Sequence, residues 1–243
     1  MQEKFVATFG SSVSPTRLQA YRLATDRDDL DALGRYLWNT ALSEALYPSV
    51  QNVEIALRNS LHQAIGRAVG DPFWLTAVPS LLTPAHQAKV SGAIRYVRKR
   101  KKEPDVGRVV AELTFGFWVS LFNKEYETRL WRRPGLITAT FPAIPRDERG
   151  RHGRKVRNRH ALSVRLNRIL ELRNRVFHHE PIWNWPRPTL IDQHAEVREM
   201  LGWINPLFRD TVVLIDRFPT VYGQGSAFYR RQLEGFVRTL RLP

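Results

Sequence analysis

Leu162, Leu166, Ile169, Val176 and Phe177 recur at intervals of three and four, and one arginine, Arg173, falls among them. The spacing is the apolar stripe of an amphipathic helix. Arg173 sits four residues after Ile169 and three before Val176, where the pattern asks for an aliphatic side chain. A guanidinium buried there without a partner is costly. The chain must therefore build a helical core into which a charge is let, either paired, or opening on a groove or on a second subunit.

The same helix ends in a crowd of polar groups. In ELRNRVFHHEP, Glu171 to Pro181, His178 lies five positions beyond Arg173. On an ideal helix that is about 140° around the axis, so the two share a face only if the helix gives way. Pro181 predicts that it does, because the residue before a proline is turned away from helical geometry.

Arginine, asparagine and histidine at a helix end suit RNA cleavage without metal. In that reaction the ribose 2′-hydroxyl attacks the adjacent phosphorus, and the 5′-oxygen leaves. Histidine, titrating near neutrality, moves the proton; arginine, forked and always charged, steadies the charge on phosphorus. Asn174 adds a neutral hydrogen bond to phosphate or orients an imidazole. The other reading of these residues is structural: cations near a helix C-terminus complement the macrodipole and cap open carbonyls.

The segment RNRVFHHEPI, with Arg173, Asn174, His178, His179, Glu180 and Pro181, resembles the signature of Abi-like proteins, the abortive-infection proteins of the HEPN superfamily. Ribonucleases of that superfamily carry an arginine followed after four to six residues by histidine, commonly with a polar residue directly after the arginine. Trp38 to Ile65 and Ala111 to Trp131 resemble the same family in the same order, so the likeness covers the chain from about Ala20 to Phe218. It implies an all-α HEPN-like helical bundle with additional helices, a metal-independent endoribonuclease, and a role in defence against phage. It assigns catalysis to Arg173 and His178, with Asn174 auxiliary and His179 as the alternative histidine. It also implies a homodimer whose active site combines Arg173 and His178 of two chains, with an antitoxin or RNA regulator holding the enzyme in check.

Charge points to the same kind of partner. The 243 residues carry 38 lysines and arginines against 23 acidic residues, a net charge of +15, and such a surface favours polyanions through counterion release. RNA is the first candidate and an anionic membrane surface the second. No cysteine is present, which excludes disulfides and thiolate catalysis, and with an N-terminus lacking an apolar core it suits a cytoplasmic protein. The best apolar window, Thr114 to Phe122, is far shorter than the roughly 20 residues of a membrane span.

We read the chain as one helical domain, with an N-terminal extension over 1–15, an irregular basic loop over 132–153 and a C-terminal helical tail over 219–243. Leu18, Tyr21, Leu30, Leu33, Leu37 and Leu42 predict helix over 16–46, bent at the polar patch Thr25 to Asp31. Pro48 is expected to open a second helix, whose stripe is Val50, Val53, Leu57, Leu61 and Ile65. Arg58 on that helix is a candidate supporting residue or RNA contact, and His62 a surface or packing residue. Phe73 and Trp74 are expected to plug the bundle. Thr83 and Asp105 read as N-caps, and the second cap begins a helix running through Val109, Leu113, Phe117 and Leu121. Glu112 within it is a candidate ion partner for Arg173 or Arg58.

Two basic stretches are candidate RNA contacts. In RYVRKRKK, Arg95 to Lys102, six of eight residues are cationic; Arg98, Lys99 and Arg100, with Tyr96 interleaved, would track phosphates or form a solvated helix end. Arg154, Lys155 and Arg157 lie in an arginine-rich segment, Arg146 to His160, that feeds the motif helix. Trp183 and Trp185 are expected to pack rather than stack bases. A helix from about Asp192 should break near Pro206 and resume through Phe208, Val212 and Ile215. The tail should dock through Phe228, Leu233 and Phe236.

There is no phosphate-binding glycine loop. Adjacent His178 and His179 would diverge on a helix rather than share a zinc ion, and no element gathers acidic residues for a divalent metal. No metal and no cofactor is expected.

Overall fold

The computed structural model of the chain describes residues 2–145 and 156–240. Helix accounts for 75% of it and no strand occurs among the described residues, so the fold is all-α. Among the described residues no helix is long and apolar enough to cross a membrane. The chain divides into two compact units, one formed by Met1–Pro48, Arg173–His194 and Ile215–Pro243, the other by Ser49–Leu172 and Ala195–Leu214.

The first unit takes its core from widely separated segments. Helix α1 (Gln2–Val13) carries Phe5, Val6, Phe9 and Val13 at helical spacing, and these pack on Leu18, Leu30, Leu33 and Leu233. Helix α2 (Pro15–Gln19) is a single turn, and α3 begins only at Asp29 and runs to Val69. The expected helix over 16–46 is thus interrupted. The reason lies in the polar patch: the Asp26, Asp28 and Asp31 carboxylates accept from the backbone amides of Leu23, Leu30 and Arg27. Such local bonds compete with the helix. The last helix, α12 (Phe218–Thr239), breaks at Gly225, whose φ of 65° a side chain rarely adopts. It buries Leu233, as expected, together with Val237, while Phe228 is half-buried and Phe236, half-exposed, lies 6.0 Å from Phe5. Arg230 of α12 bonds both oxygens of Asp28, at 2.6 and 3.0 Å, and holds the Asp28 carboxyl well below the usual carboxylate range.

Pro48 lies inside α3 rather than at the start of a new helix. Proline removes one helical hydrogen bond and crowds the preceding turn, at about 3 kcal/mol. The stripe Leu42, Leu46, Val50, Val53, Leu57, Leu61 and Ile65 passes through it in phase, and each of these side chains is fully buried. At about 1.5–3 kcal/mol per buried aliphatic side chain, keeping that stripe outweighs the one interrupted turn.

The second unit has an aromatic core. Trp74, Phe115, Phe117, Trp118, Phe122, Tyr126 and Phe141 are all buried. Phe73, expected beside Trp74, is instead 57% exposed, because it stands just ahead of the short helix α4 (Trp74–Ala77) that turns Trp74 and Leu75 inward. Thr83 caps α5 (Pro84–Lys99) through the His86 amide, and Asp105 caps α6 (Val106–Glu112) through the Arg108 amide, as read from the sequence. The expected continuous helix then stops. Thr114 caps α7 (Phe115–Ser120), and its hydroxyl accepts from the Phe117 amide, which resets the chain direction. The predicted irregular loop contains a short helix, α8 (Leu136–Thr140), whose last carbonyl accepts from Ser60 Oγ at 2.6 Å.

Helix α9 (Arg159–Phe177) follows, with Leu162, Leu166, Ile169 and Leu172 fully buried. Helix α10 (Leu190–Ile204) and α11 (Pro206–Val213) meet at Asn205, which caps α11 ahead of Pro206. The break agrees with the sequence pattern; the resumed helix takes in Phe208 and Val212 but ends at Val213, short of the expected Ile215, which is exposed.

Candidate functional site

The end of α9 is closed by two hydrogen bonds. The Glu180 amide donates to the Arg175 carbonyl at 2.9 Å and the His179 amide to the Val176 carbonyl at 3.3 Å. This is the Schellman arrangement, which requires a left-handed residue at the first position past the cap. Here that residue is His179, with φ of 58°. Glycine fills such positions at no steric cost, whereas a side chain costs about 1–2 kcal/mol. Pro181 follows two residues on, where the helix cannot continue.

A buried asparagine fixes what comes next. Asn39 of α3, 4% exposed, accepts through Oδ1 from the Ile182 amide at 2.6 Å and the Trp183 amide at 3.1 Å, and donates through Nδ2 to the Glu180 carbonyl at 3.4 Å. Arg17 Nη1 donates to the His179 carbonyl at 3.3 Å. Backbone groups on both sides of the turn are thereby held from outside, and His178 and His179 stand exposed on a fixed main chain.

Arg173 is half-buried, its guanidinium 4.3 Å from the centre of the Phe177 ring, one turn on. A guanidinium over an aromatic face is attracted by the ring quadrupole. Asn174, also half-buried, lies with its Oδ1 3.5 Å from Arg173 Nη1. Arg175 covers Trp185 at 4.7 Å and lies 3.6 Å from Glu180. Trp183 packs against Tyr21 at 6.5 Å, with Arg35 over its ring at 5.5 Å, so this tryptophan serves the core.

A groove of about 550 Å³ adjoins the turn, lined by Tyr47, Phe177, His179 and Arg217 among others. His179 lines it and His178 does not. The structure thus brings Arg173, Asn174 and both histidines to one helix end and separates the two imidazoles by their surroundings.

The remaining described candidates belong to the second unit. Arg58 is half-buried and donates through Nη1 to the Ala111 carbonyl at 3.4 Å, while its Nε is buried and finds no hydrogen-bond partner among the described residues. Glu112 forms no ion pair among the described residues; α6 ends at Glu112, and Arg58 is drawn to the carbonyl just before it. His62 accepts through Nδ1 from Trp74 Nε1 at 3.0 Å, a packing role, and burial lowers its pKa. Arg98, Lys99 and Arg100 are exposed at the end of α5, with Arg100 5.5 Å from the half-exposed Tyr96 ring. Arg157 is half-buried, and Arg154 and Lys155 lie outside the described residues.

Asn39, Arg17 and Tyr47 escaped the sequence reading. Asn39 left one signal, a polar residue flanked by Trp38 and Leu42 where the helix is otherwise going into the core. Among the described residues no group of three or more histidine, aspartate or glutamate side chains is gathered for a metal ion. Compared with family models, curated proteins and solved structures, the chain matches none.

Proposed function

We propose that the chain is a metal-independent endoribonuclease acting at the end of α9. The observation that carries this reading is the pairing of a half-buried guanidinium, Arg173, with two exposed imidazoles, His178 and His179, on a turn whose backbone is fixed by Asn39 and Arg17. Catalytic groups need such support, since a misplacement of about 1 Å costs on the order of a hundredfold in rate. One histidine takes the proton from the ribose 2′-hydroxyl or returns one to the leaving 5′-oxygen. Arg173 neutralises the charge building on the phosphorus oxygens, and Asn174 adds a neutral donor. The products are a 2′,3′-cyclic phosphate and a 5′-hydroxyl.

A chain of net charge +15 supplies the long-range attraction for RNA. Beyond the chemistry, the resemblance supports a homodimer that unites two such helix ends, restraint by an antitoxin or RNA regulator, and service in abortive infection in the cytoplasm. The second reading is a non-catalytic RNA-binding protein, favoured by the exposed basic end of α5 with Tyr96.

Cleavage of a labelled structured RNA in excess EDTA separates them. Wild type should cut and leave cyclic phosphate ends, and Arg173→Ala and His178→Ala should not. Tight binding by all three without cutting would replace the enzyme by the binding protein. Full activity in His178→Ala but not in His179→Ala would move the catalytic role to His179. Sedimentation showing only monomer at assay concentrations would remove the composite site.

A further inference from the structure

The groove beside the motif is built entirely from the first unit. Its lining includes the apolar side chains of Ala45, Pro48, Val176 and Ile215. Two aromatic rings also line it and are partly exposed, Tyr47 to 44% and Phe177 to 37%. Their centres are 5.3 Å apart and their planes 32° from parallel. That spacing leaves no room for a third ring between them, so a flat ligand must lie on their open side.

Three guanidinium groups adjoin the rings or the turn beside them. Arg173 lies against Phe177, Arg217 lines the groove, and Arg17 is tied to the carbonyl of His179. Glu44 is the one carboxylate among the described lining residues, and it is ion-paired with Arg217. An aromatic plate edged by guanidinium groups fits single-stranded nucleic acid, whose bases offer flat faces and whose backbone offers phosphate.

Two hydroxyls among the lining residues refine the choice. Thr40 Oγ1 donates to the Tyr36 carbonyl at 3.1 Å and Ser43 Oγ to the Asn39 carbonyl at 3.0 Å. Each hydroxyl hydrogen is thereby used, and toward the groove these oxygens can only accept.

We propose that this groove is a nucleobase subsite: an unpaired base stacks on Tyr47 and Phe177, donates its exocyclic amino group to Ser43 or Thr40, and sets its phosphate toward Arg173. The proposal rests on the reading of the α9 end as an RNA site. It makes His179 the imidazole nearer the bound nucleotide, and it selects bases with an amino group over uracil.

The test is titration of a short single-stranded RNA carrying 2-aminopurine into the protein in EDTA, read by fluorescence. Wild type should quench the probe and bind it more tightly than an oligouridine carries itself in competition. Tyr47→Ala should weaken binding about tenfold, and Tyr47→Trp should restore it. Tyr47 is half-exposed, so circular dichroism and the unfolding midpoint should be unchanged in both. No binding by wild type, or equal binding and quenching in Tyr47→Ala, overturns the subsite. So does a Tyr47→Ala variant that splits a dimer while binding the probe normally, which would make the groove a contact between copies. Cleavage by the same variants keeps the two readings apart. Quenched binding without cutting leaves the subsite and removes the nuclease; cutting that ignores Tyr47→Ala does the reverse.

Discussion

Asn39 Oδ1 accepts from the Ile182 amide at 2.6 Å, across 143 positions of sequence, and fixes the segment that follows the motif. With the Trp183 amide on the same oxygen, one side chain satisfies two main-chain donors in a place nearly closed to water. Asn39→Ala leaves both unpaired, and each such loss costs about 1–3 kcal/mol. We expect a fall of about 2–4 kcal/mol in unfolding free energy by urea titration, with loss of RNA cleavage at temperatures where the variant remains folded.

His179 occupies a left-handed position that glycine would take without strain. His179→Gly should therefore hold or raise stability, by up to about 1 kcal/mol after the added flexibility of the unfolded chain is subtracted. If the imidazole serves the reaction, cleavage should drop in this variant although the protein becomes no less stable. Lower stability, measured by thermal unfolding, would show that the ring itself holds the turn.

His62 and His86 are neutral groups of the second unit, each with its pKa lowered by burial. His86 is held between Thr83 Oγ1 at 2.8 Å and Ser120 Oγ at 2.6 Å. Between the folded pKa and the unfolded value near about 6.5, the unfolded chain binds more protons than the folded one. Stability is therefore full above that value and falls as pH drops below it. Urea midpoints at pH 7.5 and pH 5 should show this loss, and His62→Gln with His86→Gln should flatten it even if the double variant is less stable at neutral pH.

Arg98, Lys99 and Arg100 are exposed at the end of α5 and carry no ion pair among the described residues. If they track phosphates, replacing all three by alanine should reduce the slope of log affinity against log salt by about 3, roughly one per phosphate contact. An unchanged slope would make them a solvated helix end. Binding should weaken evenly across RNA sequences, because phosphate contacts carry no sequence information.

Much of the helical plan was legible because its signals are local. Thr83 with Pro84 and Asp105 mark their helices by cap chemistry, and Pro206 breaks one helix and starts the next. The failures came where two local rules compete. Pro48 reads as a helix start, yet the apolar stripe carries through it in phase. The carboxylates near residue 28 read as a bend in one helix, yet they end it by bonding to the backbone. At the candidate site, Arg173, Asn174 and the two histidines were visible as a motif. Asn39, Arg17 and Tyr47 were not, since what makes them matter is a partner more than a hundred positions away.

The tie between Arg230 and Asp28 spans 202 positions, and it belongs to the unit that also holds the α9 end. During synthesis Asp28 leaves the ribosome long before its partner exists, and α12 can dock only after every other described helix has been made. The second unit draws on residues no later than Leu214. The histidines therefore emerge well before the framework around them is complete, and a nascent chain carries the motif without the finished surface that would present it.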